Sequence, residues 1–169
     1  YKCFLEAFTT RFEDENGNAI DFTGSLRMLV ADNLEAEGLL ALESALEFAK
    51  QLEVETLSHV FIHPISNRDV DQLVESVRES MVLGKIPNNP EFSRDFYLEG
   101  LRSRAKEELI QRMQGSKSSG SLQGRYIPKV GYGNPAEELH HWVKESQCQL
   151  LVFGRHHILK RKNLALGRV

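Results

Sequence analysis

Disulfides, metal-ligand sets and long apolar runs are what this sequence lacks. Its 169 residues include only two cysteines, Cys3 and Cys148, with one tryptophan, three methionines and five prolines. Two cysteines make neither a disulfide framework nor a four-ligand metal set, so a reducing compartment is the expectation. No apolar run approaches the ~20 residues needed to cross a bilayer. Neither sign of charge dominates: 21 Lys and Arg stand against 24 Asp and Glu, a net charge of -3. The general electrostatic footprint of a nucleic-acid binder is therefore missing. A hydrophobic content of 41% beside that small net charge excludes a disordered chain. The length suits one domain. Its ends are unusual, since it starts at Tyr1 without Met and stops at Val169 in mid-pattern, and a piece of a longer protein is expected.

From Leu26 to Gly154 two periodicities alternate. Leu26-Arg27-Met28-Leu29-Val30-Ala31, ended by Asp32-Asn33, reads as a buried strand. Leu39, Leu42, Ala45, Leu46, Ala49 and Leu52 then recur at three- and four-residue spacing, which predicts an amphipathic helix. Val54 to Ile62, closed by Pro64, reads as a second strand. Val70, Leu73, Val74 and Val77 stand at helical spacing, Gly84 to Pro90 is a break, and Phe92 to Met113 is the longest helical pattern. Ser116 to Ser121 has the composition of a mobile connector. Tyr126 to Val130 is a weaker strand candidate that Pro128 interrupts. Pro135 opens a further helix to about Glu145, and Cys148 to Phe153 is a last apolar run ended by Gly154.

Strands alternating with helices require crossover connections, which implies a parallel sheet covered on both faces: an α/β three-layer sandwich of four to five strands. Residues 1–25 fall outside that rhythm. Phe4, Phe8 and Phe12 precede Asn16-Gly17, a hairpin-turn signal, so an N-terminal β arm or hairpin is expected, separate from a domain at 26–169.

Two places could carry chemistry. Ala31-Asp32 ends the first strand, and ligands of open parallel sheets bind beyond the carboxyl ends of strands where the strand order reverses. Asp32 could read a ligand hydroxyl or amino group there, or cap the following helix. The second is Gly154 with the segment after it, which holds Arg155, Lys160, Arg161, Lys162 and Arg168. A glycine after a buried strand lets backbone amides approach an anion, and the cations favour phosphate. A solvated basic loop is the plainer reading of the same residues.

Strand–Asp–helix at 26–50, Leu57-Ser58-His59-Val60, Gly133-Asn134-Pro135 opening a helix, and Leu150-Leu151-Val152-Phe153-Gly154 with a basic loop and Leu166-Gly167 together resemble the universal stress protein domain. The order and spacing of these short motifs carry the resemblance, over residues 26–169. It implies a doubly wound, flavodoxin- or Rossmann-like sheet of strand order 3-2-1-4-5. The fifth strand would follow Val169 or be replaced by the N-terminal arm. Nucleotide-binding members carry Gly, two residues, Gly, nine residues, Gly, then Ser or Thr. Here Gly154 and Gly167 match, His157 stands at the second glycine and Arg168 at the hydroxyl, followed by Val169. A His side chain there hinders close backbone approach, and Arg cannot reproduce the small hydroxyl donor. The resemblance keeps the adenine and ribose side of the pocket, at Ala31, Asp32 and Val60, and degrades the phosphate side.

What it implies is a cytoplasmic stress-response binding or regulatory module, non-enzymatic, with weakened or lost ATP binding or another anionic ligand. It also implies pairing as a homodimer or tandem domain. The competing readings are a slow ATPase or nucleotide-dependent enzyme of the same fold group, and a regulatory domain of a tandem stress protein or transporter. The six histidines, His59, His63, His140, His141, His156 and His157, come partly as pairs, and His140 and His141, adjacent on a helix, point about 100° apart and do not readily share one metal. His59 reads as structural. No nucleophile elbow is present, Cys148 in an apolar run is expected to be inert, and Trp142 with Leu139 and Val143 reads as core or interface.

Overall fold

A computed structural model of the chain describes residues 26–154. Four strands, β1 (Leu26–Asp32), β2 (Val54–His63), β3 (Arg125–Tyr132) and β4 (Leu150–Phe153), form one parallel sheet in the order β3-β2-β1-β4. Four α-helices connect them: α1 (Ala36–Ala49), α2 (Asn67–Val82), α3 (Arg94–Gly115) and α4 (Pro135–Ser146). This is the α/β sandwich and the strand order expected. The calls on the N-terminal arm, on His157, Gly167, Arg168 and Val169, and on a fifth strand fall outside the described residues.

Each element follows from its residues. β1 has no polar face because it is central: Met28, Leu29 and Val30 are all buried, as a parallel strand covered on both sides requires. α1 sets Ala41, Leu42, Ala45, Leu46 and Ala49 as one buried stripe. α2 starts with a capping box in which Ser66 Oγ accepts from the Asp69 amide and Asp69 returns to the Ser66 amide. Ser93 Oγ caps α3 by accepting from the Phe96 amide and Asn134 Oδ1 caps α4 by accepting from the Ala136 amide, with Pro135 at the first turn of α4. Gln147 ends α4 in the left-handed conformation.

The sheet alternates faces. Met28, Val30, Leu57 and Tyr126 point to α1 and α3; Leu29, Val60 and Ile62 point to α4, where Leu139, Trp142, Val143 and Cys148 pack on them. Complete burial of Leu42, Leu46, Leu57 and Leu109 contributes about 1.5–3 kcal/mol each relative to exposure.

Two sequence expectations are modified. β3 runs through Pro128 without interruption, opposite His59. Among the described strands β3 lies at the sheet edge and pairs only with β2, the position in which a strand tolerates proline because half of its N–H groups face away from the neighbour. The Ser/Gly segment after α3 is anchored: Ser116 is buried, and Ser118 Oγ donates to Glu47 on α1, with a short 3-10 turn at Ser119–Ser121.

Candidate functional site

The strand order reverses between β1 and β4. From β1 the chain crosses by α1 to β2; β4 is reached by α4 on the opposite face, so this switch point, the crevice position of an open parallel sheet, lies at the carboxyl ends of β1 and β4. Ala31 pairs with Phe153 across it and with Val60 on the other side.

Asp32 closes β1 and turns its carboxylate under the start of α1. Oδ1 accepts from the Leu34 amide at 2.7 Å and from Arg112 Nη1 at 3.3 Å; Oδ2 accepts from His59 Nε2 at 2.9 Å. The Asp32 and His59 side chains are both 0% exposed. His59 Nδ1 lies 2.9 Å from the Tyr126 hydroxyl, which donates to the Leu109 carbonyl of α3 at 3.0 Å. A polar chain thus runs beneath α3 across three strands. Burial, with the Asp32 charge second, pushes the Tyr126 phenol far above its ordinary value, so it stays protonated.

Arg112 holds the Asp32 end of this polar chain. Nη1 also donates to the Glu35 carbonyl at 2.8 Å, Nη2 to the Leu34 carbonyl, and Nε to Glu108 at 3.2 Å. The loop it grips is unusual, since Leu34 has φ 60, a conformation that side chains seldom adopt. Asn33 Oδ1 accepts from the Glu35 and Gly38 amides, so Asn33 serves the start of α1 while Asp32 serves the loop and His59. Gly38 is obligatory here: a Cβ would stand 1.9 Å from Asp32 Oδ1. A Cβ on Gly154 would meet the Glu37 carbonyl oxygen at 2.5 Å. The backbone after β4 is thereby pressed onto the first turn of α1.

No protein-family model and no curated protein matches the sequence. Solved structures do match. Universal stress protein UspA from Lactobacillus plantarum superposes with TM-score 0.52 at 13% identity, over 80% of this chain and 83% of that one. Hypothetical protein MJ0577 superposes with TM-score 0.54 at 14% identity, over 81% and 79%. The chain has the universal stress protein fold.

Of the positions singled out on that resemblance, Ala31, Asp32, Val60 and Gly154 come together at the crevice. There Ala31 is half-buried and Gly154 exposed; Asp32 is enclosed, and Val60 is buried in the layer against α4. His59 is structural in the sense expected, with both ring nitrogens engaged. Sequence reading missed Arg112, Tyr126 and Gly38. A glycine inside the α1 pattern was the one available signal, since a helix interior disfavours it unless something approaches closely. Among the described residues, no group of three His, Cys, Asp or Glu is placed to hold a metal, and no helix is long and apolar enough to cross a membrane. A groove of about 600 Å³ lies at the opposite end of the sheet, lined by Lys50, Glu53 and Gly124 among others. It gathers no set of reactive groups.

Proposed function

We propose that this chain is a universal-stress-protein-like binding module, non-enzymatic and cytoplasmic, whose crevice takes adenine nucleotides weakly or has lost ATP. The observation that carries the reading is the enclosure of Asp32 at a crevice with the universal stress protein topology. The carboxylate that would read a ribose or an amino group already has three protein donors. His157 and Arg168, where the family motif has a glycine and a hydroxyl, support weak phosphate binding.

Pairing as a homodimer or a tandem domain belongs to the same proposal. Among the described strands β4 pairs only with β1, and Phe153 on it is 64% exposed. An open edge invites a further strand, and residues 1–25, as an arm separate from the domain at 26–169, or a segment beyond Val169, would supply it.

Titration calorimetry with ATP, ADP and AMP tests the binding reading. ATP is expected to bind with a dissociation constant of about 1 mM or weaker, which is roughly 4 kcal/mol of binding free energy or less. Low-micromolar ATP binding would overturn the proposed loss. Turnover of ATP that disappears in Asp32→Ala would favour the enzyme reading instead.

A further inference from the structure

We infer that Arg112 is the residue that decides what the crevice admits, by latching the Asp32 loop shut from α3. The inference rests on the binding reading above and goes beyond it in naming the group responsible and its ligand class.

The latch consists of one side chain with three acceptors on the same loop: Asp32 Oδ1, the Leu34 carbonyl and the Glu35 carbonyl. Arg112 itself is 15% exposed, so most of its charge sits against protein. A planar guanidinium can satisfy such a set at once; a lysine ammonium cannot span it. The loop it holds carries the left-handed Leu34, a strained conformation of a non-glycine residue that persists only while its surroundings impose it. Asp32 and the Leu34 amide impose it from inside and Arg112 from outside.

In the latched state the Asp32 side chain is 0% exposed, its oxygens taken by Leu34, His59 and Arg112. With Arg112 withdrawn, Oδ1 keeps the Leu34 amide and gains a free lone pair, with its negative charge, on the side that Arg112 leaves. A carboxylate in that position takes hydroxyl or amino donors and repels phosphate. The ligand class that gains from opening is therefore an uncharged, hydroxyl-bearing nucleoside rather than a nucleoside triphosphate. The position of Arg112 near the end of α3 also couples the crevice to that helix.

The test compares wild type, Arg112→Gln, Arg112→Lys and the double variant Arg112→Gln/Asp32→Asn in the full chain. Adenosine and ATP binding are measured by calorimetry, and amide hydrogen exchange is followed at residues 34–38 and, as control, in β2. Arg112→Gln is expected to speed exchange at 34–38 at least tenfold, with β2 unchanged, and to tighten adenosine binding at least tenfold without tightening ATP. The double variant should lose that gain, and Arg112→Lys should fall between, serving also if the Gln variant fails to fold. Unchanged exchange at 34–38 in the Gln and Lys variants overturns the latch. Faster exchange with measurable but unaltered adenosine binding overturns the selective role and leaves the nucleotide reading standing. If no variant binds any adenine compound, the nucleotide reading falls and the inference falls with it.

Discussion

His59 Nε2 stands 2.9 Å from Asp32 Oδ2, with neither side chain exposed, and the pair joins β2 to β1 at the level of the crevice. Polar groups taken this far from water are costly unless their bonds are made. Here they are made, by Leu34, Arg112 and Tyr126.

Removing the central member should therefore cost most. His59→Ala leaves the buried carboxylate short of a donor, and a loss of about 3–5 kcal/mol is expected. Tyr126→Phe keeps the ring and removes only the hydroxyl between His59 and Leu109, so about 1–2 kcal/mol is expected. Urea unfolding measures both through the midpoint, with the slope unchanged. A His59→Ala midpoint equal to that of the wild type would show that the chain contributes nothing net.

Glycine-to-alanine changes at two helical positions should have opposite signs. At Gly100, on α3, a Cβ meets nothing within 4 Å, and Gly100→Ala should stabilise by about 0.5–1 kcal/mol through helix propensity. At Gly38 the same propensity gain is present, but the methyl would fall 1.9 Å from Asp32 Oδ1. That oxygen is held by Leu34 and Arg112 and cannot retreat cheaply, so Gly38→Ala should destabilise by about 1–3 kcal/mol net. Melting temperatures of the two variants decide it, and a shift of the same sign in both would refute the account.

These cases also mark what was legible in the sequence. The order of strands and helices could be read because burial on one face or both imposes a period on the chain, and 26–154 keeps that period clearly. Pro128 misled because an edge strand, half of whose N–H groups need no partner, tolerates a proline that an inner strand does not, and the edge position of β3 is a fact about the sheet. Asp32 was legible as a residue at the end of a strand, but its enclosure was not. The groups enclosing it come from positions 59 and 112, whose proximity depends on how α3 crosses the sheet. Arg112 carries no local signature at all: on the sequence it is one more cation in a charged helix.

His63 gives a pH dependence of definite sign. It sits at the end of β2, stacked on Tyr132 at 5.5 Å between ring centroids, and its Nε2 has no hydrogen-bond partner among the described residues. Burial lowers its pKa below the ordinary 6.5, and the Leu101 backbone pulls weakly the other way. The unfolded chain therefore takes up a proton near pH 6.5 that the folded protein resists. This part of the stability is intact above that pH, declines as pH falls below it, and levels off beneath the folded-state pKa. His63→Phe retains the stacking and removes the titration. The gap between the urea midpoints at about pH 7.5 and about pH 5 should be smaller in His63→Phe than in wild type. An equal gap would show that His63 does not titrate with folding.

Cys148 tests burial against a neighbouring charge. The thiol packs half-buried against Leu29, Val60 and Ile62, and burial pushes its pKa up more than the backbone and Lys129 bring it down. Only the thiolate reacts with disulfide reagents. In a Cys3→Ser background, which leaves Cys148 alone, reaction at about pH 8 should be at least roughly tenfold slower than in the urea-unfolded chain. Lys129 lies 4.3 Å from the Trp142 ring centroid and 3.1 Å from Ser146, fixed near the thiol. Lys129→Met should slow the reaction further by removing a positive charge that favours the thiolate. Loosened packing would act in the opposite sense and speed it, so the direction of the change separates electrostatics from exposure. A reaction as fast in the folded protein as in urea would mean that the thiol is not held in the layer under α4.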